Sequence, residues 1–366
     1  MSLTPKPGIL EITPYVGGRA AAPGVAKVFK LSSNESPLGP SPAALAALDQ
    51  AKDSLSLYPE GSAAMLRQAI GEVYGLDPAR IVTSGDGSDA LLTMLANAYL
   101  QPGDEALFSE HAFLVYKIAT LANSAVPVMV PEKTTNRAIT VDVEAMLAAV
   151  TQKTRLVYIA NPNNPTGSYL SRDEMRRLHA GLPQDVLLVI DAAYAEYVTA
   201  EDYDCGLELA QAHANVVMTR TFSKIHGLAG LRIGWMFASP DVCDVINRIR
   251  GPFNTALMQQ LVGAAAIRDQ AHVQAAMEHN AKWLAWVTAE VRKTGLRVDD
   301  SAANFVLIHF PPGEKSAAKA DAFLMQGGVI LRSVASYGLA DCLRMTVGTE
   351  EQNRLAVSFL QQFMAA

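Results

Sequence analysis

Val216-Val217-Met218-Thr219-Arg220-Thr221-Phe222-Ser223-Lys224-Ile225-His226-Gly227-Leu228-Ala229-Gly230 decides how the rest of the chain is read. Its apolar start has the composition of a strand buried on both faces. A hydroxyl residue and a lysine follow, then a turn rich in glycine. A lysine there is badly placed for the solvated face of a helix. It is well placed to project from a loop into a cleft. Arg232 adds a guanidinium a short way on. An amine flanked by a hydroxyl and a guanidinium suits a carbonyl cofactor that also carries a phosphate. Pyridoxal phosphate is the candidate, because a lysine can hold it as a Schiff base.

The sequence around this stretch alternates. Strands are expected at about 105–109, 125–130, 155–160, 186–190, 215–220 and 232–237, with helices at about 113–123, 142–150, 171–180 and 206–213. Upstream, Ser41-Pro42 is an N-cap and first-turn pair for a helix over about 43–52. A second helix is expected at about 62–74, a short strand at Ile81-Val82-Thr83, and an apolar helix from Ala90 to Tyr99. Apolar strands separated by helices imply an α/β fold whose mostly parallel sheet is covered by helices. The rhythm stops after Pro252. Helices at about 256–269, 272–294, 316–326 and 350–363 then mix with strands near 304–309, 328–332 and 342–347, the pattern of a smaller α+β unit. The organisation expected is an irregular arm over 1–29, containing Pro5, Pro7, Pro14 and Pro23, a large unit over 30–253, and a small C-terminal unit over 254–366. Tyr15 and Val16, ahead of Gly17-Gly18, are the residues by which the arm could be pinned.

Composition removes several function classes. Half the residues are hydrophobic and 18% are charged, ordinary for a soluble enzyme, and the net charge of −6 without a basic cluster argues against nucleic acid. Cys205, Cys243 and Cys342 share no metal-ligand spacing, so each reads as a small buried residue in a reducing, cytoplasmic setting, and no metal is expected. Met1 to Ile12 lacks the apolar core of a signal peptide, and runs such as Val186–Ile190 are too short to span a membrane.

Five further stretches carry chemistry. Gly85-Asp86-Gly87-Ser88-Asp89 lies between a strand and a helix. It is either a phosphate cradle of backbone N–H groups or an ordinary helix cap at Ser88 or Asp89. Asn161-Pro162-Asn163-Asn164-Pro165-Thr166-Gly167 follows a strand, at the edge where open α/β sheets bind ligands. Asn164 there can donate to a phenolate-type oxygen. Asp191 ends an apolar strand, where a carboxylate needs a partner such as a pyridinium N–H, and Tyr194 could reach the same ring's hydroxyl. Phe113, at a helix start, is either core or a stacking surface. Arg332 and Arg344, at the ends of apolar strands, are either surface residues or two-pronged anion ligands.

Gly87-Ser88-Asp89, Asn161–Gly167, Asp191 with Tyr194, Ser223-Lys224 with Arg232, and Leu343–Gly348 come in the order found in fold-type I pyridoxal-phosphate aminotransferases. With Asn34-Glu35-Ser36-Pro37, Tyr58-Pro59 and the ending Arg344–Glu350, the chain resembles the histidinol-phosphate aminotransferase family over nearly its whole length. The resemblance implies a homodimer that passes an amino group from L-histidinol phosphate to 2-oxoglutarate in histidine biosynthesis. It implies Lys224 as the Schiff-base lysine and proton shuttle, and Asp191 paired with the pyridine nitrogen. Asn164 and Tyr194 would hold the ring hydroxyl, and Phe113 would stack on the ring. Ser88, Asp89 through its backbone N–H, Ser223, Arg232 and a Tyr58 from the other subunit would hold the phosphate. Arg344 would take a carboxylate, while Tyr15, Asn34 and Arg332 would bind substrate. Ala90, Asp86, Ser33 and Ser36 depart from the usual pattern, and none is a cofactor contact. Two alternatives share the same cofactor residues: an aromatic (phenylalanine or tyrosine) aminotransferase, and a lyase resembling threonine-phosphate decarboxylase.

Overall fold

The structure is a computed structural model that describes residues 3–21, 24–25 and 27–366. Pro23 of the expected arm lies outside them. The first part of the chain runs β1 (Phe29–Lys30), α1 (Pro42–Ala51), α2 (Ala64–Tyr74), β2 (Ile81–Ser84), α3 (Gly87–Tyr99), β3 (Glu105–Ser109), α4 (Leu114–Ala122) and β4 (Val126–Val130). A small hairpin, β5 (Lys133–Thr134) and β6 (Ile139–Thr140), precedes α5 (Val143–Ala148), β7 (Thr154–Ala160), α6 (Arg172–Gly181) and β8 (Leu187–Asp191). Next come α7 (Leu207–Ala212), β9 (Val216–Thr221), β10 (Gly234–Phe237) and α8 (Pro240–Ile249). The remainder is α9 (Leu257–Arg268), α10 (Gln270–Arg292), β11 (Arg297–Val298), β12 (Phe305–His309), α11 (Ala317–Gln326), β13 (Val329–Ile330), β14 (Arg332–Val334), β15 (Leu339–Thr346) and α12 (Glu350–Ala365).

Seven strands form the main sheet in the order β2-β10-β9-β8-β7-β3-β4. Only β10 runs against its neighbours; the pairings among β9, β8, β7, β3 and β4 are parallel. The central strands are apolar at successive positions because both faces are covered. In β8, Leu188 and Ile190 join the core shared with α2, α6 and α9, whereas Leu187 and Val189 join the core shared with α3, α4 and α8. A second sheet, β11-β12-β15-β14, is antiparallel and packs on α10, α11 and α12. β1 pairs in parallel with β13, so the segment leaving the N-terminal arm is stitched to the last third of the chain.

Several boundaries differ from the sequence expectation. Helix α8 was not expected; Ser239 caps it, accepting from Val242 N, and Pro240 occupies its first turn. Its apolar face is short, only Val242, Cys243 and Ile246 being buried, which left little periodicity to read. Helix α3 begins at Gly87 rather than Ala90, and neither Ser88 nor Asp89 is its cap: both lie in its first turn. The strand expected over 232–237 is confined to Gly234–Phe237. The run expected over 328–332 is two short strands, β13 and β14, in different sheets.

Candidate active site

The carboxyl ends of β2, β3, β7, β8 and β9 lie along one edge of the main sheet, and each feeds a loop toward it. Because β10 is antiparallel, its beginning lies at that same edge, and Arg232 arrives with it. One cavity of about 230 Å³ results. It is lined by Tyr15, Asn34, Ser88, Asp89, Phe113, Asn164, Asp191, Tyr194, Ser223, Lys224, Arg232, Arg332 and Arg344. Every candidate residue from the sequence is there except Tyr58, which is 83% exposed and stacks on Phe253 with ring centroids 4.8 Å apart.

One end of the cavity is built for an anion. Because α3 starts at Gly87, the N–H groups of its first turn have no partner within the helix. Gly87 has φ of 72°, and a Cβ there would fall 2.5 Å from Arg232 Nη2, so only glycine lets the guanidinium approach the helix start. Arg232 reaches Ser223 Oγ at 3.4 Å and Asp89 Oδ2 at 3.1 Å. The Asp89 carboxylate thus serves the arginine, while its N–H remains with the helix end.

The other end holds a buried carboxylate. Asp191 is 5% exposed; its Oδ2 accepts from Tyr116 Oη at 2.9 Å and its Oδ1 from Thr219 Oγ1 at 3.4 Å. No cation lies against it among the described residues, and burial pushes its pKa up to about 6 against the pull of the Tyr116 hydrogen bond. A protonated ring nitrogen would give Asp191 the cation it lacks. Tyr116 was invisible to sequence reasoning: it lies in α4, stacks face to face on Tyr158 at 4.8 Å, and reads as core.

Lys224 sits between these ends. Its Nζ donates to Ser33 O at 3.3 Å and lies 5.7 Å from the Tyr194 ring. Burial pushes its pKa down to about 8, and the Arg344 guanidinium acts in the same direction. Gly227 fixes the loop that carries it, since a Cβ there would meet Gly39 O at 2.1 Å.

Hydrogen-bond partners settle which groups are left to donate. Asn34, at φ of 56°, is clamped by Thr346, whose Oγ1 donates to Asn34 Oδ1 at 3.1 Å. Its Nδ2 donates to Tyr194 Oη at 2.9 Å, leaving the Tyr194 hydroxyl proton available to the cavity. Arg344 donates through Nη1 to Asn164 Oδ1 and through Nη2 to Ser32 O at 2.9 Å. The Asn164 amide nitrogen therefore remains a donor, and the buried Arg344 Nε has no partner among the described residues. Arg332 stands directly across the β14–β15 pair from Arg344. It donates to Val16 O at 2.7 Å and lies 6.0 Å from the Tyr15 ring, which pins the N-terminal arm at the cavity mouth. A further residue missed in the sequence is Gln259 of α9. Its Nε2 donates to Gly85 O at 2.8 Å and Leu231 O at 2.9 Å, tying both loops of the anion end together.

Residues 26–360 match the family model described as aminotransferase class I and II. The chain is 56% identical over 363 residues to a histidinol-phosphate aminotransferase of Rhodopseudomonas palustris, with 98% of each chain covered. It is 55% identical to the protein of that name from Nitrobacter hamburgensis, covering 99% of this chain and 98% of the relative. Among solved structures it is similar to histidinol-phosphate aminotransferase from Sinorhizobium meliloti in complex with pyridoxal-5'-phosphate. That likeness has a TM-score of 0.87 at 28% identity and covers 98% of this chain and 96% of that one.

Proposed function

The chain belongs to the class I and II aminotransferases, and from that premise we propose that it moves the amino group of L-histidinol phosphate to 2-oxoglutarate. The products are imidazole acetol phosphate and L-glutamate, the cofactor is pyridoxal phosphate, and the setting is histidine biosynthesis. The observation that carries the substrate reading is Arg332 facing Arg344 in register within the cavity that holds Lys224. Relatives at 55–56% identity bear the matching name.

The residues fit the cofactor at both ends. Its phosphate has the α3 N-terminus, Ser88, Ser223 and Arg232; its ring nitrogen has Asp191; its ring oxygen has the Asn164 amide and Tyr194 hydroxyl; and Phe113 supplies a flat neighbour for the ring. When bound, pyridoxal phosphate supplies an aldehyde for the incoming amine and a ring that withdraws electrons from the substrate α-carbon. Lys224 carries the chemistry of the chain itself. Its amine attaches the cofactor, is released when substrate amine takes its place, and then moves a proton between the substrate α-carbon and the cofactor C4′ atom. Asp191 holds a proton on the ring nitrogen, and Tyr116 with Thr219 holds Asp191 in place.

Histidinol phosphate has no carboxylate, whereas 2-oxoglutarate has two, so one cationic region must accept either kind of anion. Two fork-shaped donors side by side provide it. Arg332→Ala is expected to lower kcat/KM for histidinol phosphate by roughly 10- to 100-fold, the worth of a hydrogen bond to a charged group, about 1.5–3 kcal/mol. Phenylalanine, tested beside it, should lose far less, because its carboxylate uses Arg344. Equal losses for the two donors would remove Arg332 from phosphate binding. A wild-type preference for phenylalanine or tyrosine would favour the aromatic alternative.

The same reading makes the enzyme a cytoplasmic homodimer, with an arm to residue 29, a large unit to residue 253 and a small unit beyond. Leu55, Leu57 and Tyr58 are each at least 66% exposed, and Phe253 beside them is 44% exposed, an apolar surface suited to a second copy. Tyr58 would then cross to the partner's phosphate site. Mixing Tyr58→Phe subunits with Lys224→Ala subunits should restore activity above the sum of the parents, since a mixed dimer has one site free of both changes. Exchange of subunits with no gain would refute the shared site.

A further inference from the structure

Away from the cavity, at the outer end of the β12–β15 pair, three metal-binding side chains meet. His309 and Cys342 are direct partners across the two strands, and Asp341 precedes the cysteine. Cys342 Sγ lies 3.1 Å from His309 Nδ1 and 3.5 Å from Asp341 Oδ1, and the three donor atoms all fall within 4.8 Å of one another. No sequence spacing could have shown this, because strand pairing rather than a local motif brings the residues together.

The histidine is already oriented. Its Nε2 lies 3.0 Å from Oδ2 of Asp299, a fully buried carboxylate that also accepts from Arg297 Nε at 2.8 Å. The carboxylate takes the Nε2 proton, which leaves the lone pair on Nδ1, turned to the thiol. A carboxylate behind a histidine is the usual outer partner of a metal-ligating imidazole. We propose that His309 Nδ1, Asp341 and Cys342 Sγ form a binding site for a zinc-class divalent ion, with Asp299 as the positioning residue.

Chemistry and spacing agree with that assignment. One thiolate, one imidazole and one carboxylate make a donor set for a borderline-soft ion rather than for magnesium or calcium. Tetrahedral zinc with ordinary bond lengths places sulfur about 3.5 Å from its oxygen and nitrogen neighbours. The Cys342–Asp341 separation already matches, and the Cys342–His309 gap has to open by about half an ångström. Asp341 is exposed, so ion and a fourth, water ligand can enter from that side. The thiolate and Asp341 balance the ion's two charges, and Asp299 is balanced by Arg297. On binding, the S–H bond breaks, S–Zn, N–Zn and O–Zn bonds form, and one proton leaves to the buffer. The ion would brace the outer end of β15, the strand that carries Arg344 two residues on.

The test uses the cofactor-loaded enzyme, stripped with a chelator, dialysed and titrated with zinc chloride against a chromophoric chelator. One zinc per chain is expected, with one proton released and a thermal midpoint that rises with zinc. Cobalt(II) in its place should show the intense visible bands of tetrahedral thiolate coordination. Cys342→Ser should abolish the zinc-dependent rise. Asp341→Asn, on an exposed side chain and so harmless to folding, should weaken zinc binding by at least the 10- to 100-fold typical of outer-sphere changes. Failure to bind zinc at micromolar concentration, or binding unchanged in Asp341→Asn or in folded Cys342→Ser, overturns the site.

Discussion

Replacing Lys224 with alanine is expected to reduce kcat by about 10⁴-fold or more, the upper range for a positioned acid–base group, because the same residue also attaches the cofactor. The expectation rests on the surroundings of its amine. At pH 7 an ordinary lysine is almost wholly protonated and cannot attack a carbonyl. With its pKa brought down to about 8 by burial and the nearby Arg344 charge, roughly a tenth of the Lys224 amine is neutral at that pH. Cofactor attachment to the ligand-free protein should therefore quicken as pH rises through about 8 and level off above it. The direction follows from the sign of the shift, since the neutral amine gains population as the pH passes its lowered pKa. Borohydride should fix the cofactor on Lys224 of the wild type, which a peptide map would show. A label on another lysine, or appreciable turnover by Lys224→Ala, would end the assignment. Lys224→Arg keeps the charge without the nucleophile and should be as inactive as the alanine variant.

The sequence made the backbone of the site legible because each element of it is local. An apolar run followed by Asn161–Gly167, by Asp191 or by Ser223-Lys224 marks the carboxyl end of a strand, and the ends of parallel strands share one edge. What escaped was set by long-range pairing. Nothing near Arg232 says that β10 runs antiparallel, yet that reversal delivers the guanidinium to the α3 N-terminus. Tyr116 has the sequence surroundings of a core aromatic, and only the packing of α4 beside β8 lets its hydroxyl reach Asp191. Asn34, in the N-terminal stretch, touches Tyr194 and Thr346 because β1 joins β13 and draws that stretch over the cavity. Gln259 follows the same logic: the helix that begins after the alternating pattern ends turns back to bond Gly85. The fold class and the chemical groups were thus readable, and the hydrogen bonds that aim those groups were not.

Asp191→Ala should retain a cofactor and lose nearly all turnover. The buried carboxylate does two things that can be separated in size. As a hydrogen-bond acceptor for a charged ring N–H it is worth about 1.5–3 kcal/mol, roughly 10- to 100-fold. As a fixed negative charge in a dry site it keeps that nitrogen protonated while negative charge develops on the substrate carbon. Losing one such preorganised interaction costs about 10²–10³-fold in other active sites. A combined loss of at least about 10³-fold in kcat is expected, with a smaller change in KM, since the charge is needed most in the transition state. Asp191→Asn separates the two roles, because the amide can still accept a hydrogen bond but carries no charge. It should behave like the alanine variant in kcat and like the wild type in colour and cofactor content. Tyr116→Phe removes only the hydrogen bond that steadies Oδ2, a neutral-donor contact to a carboxylate, and should cost about tenfold or somewhat more. The order wild type, Tyr116→Phe, then Asp191→Asn level with Asp191→Ala would place the electronic control of the ring in the Asp191 charge. Turnover by Asp191→Asn close to that of the wild type would show that the carboxylate merely fills a polar gap at the end of β8.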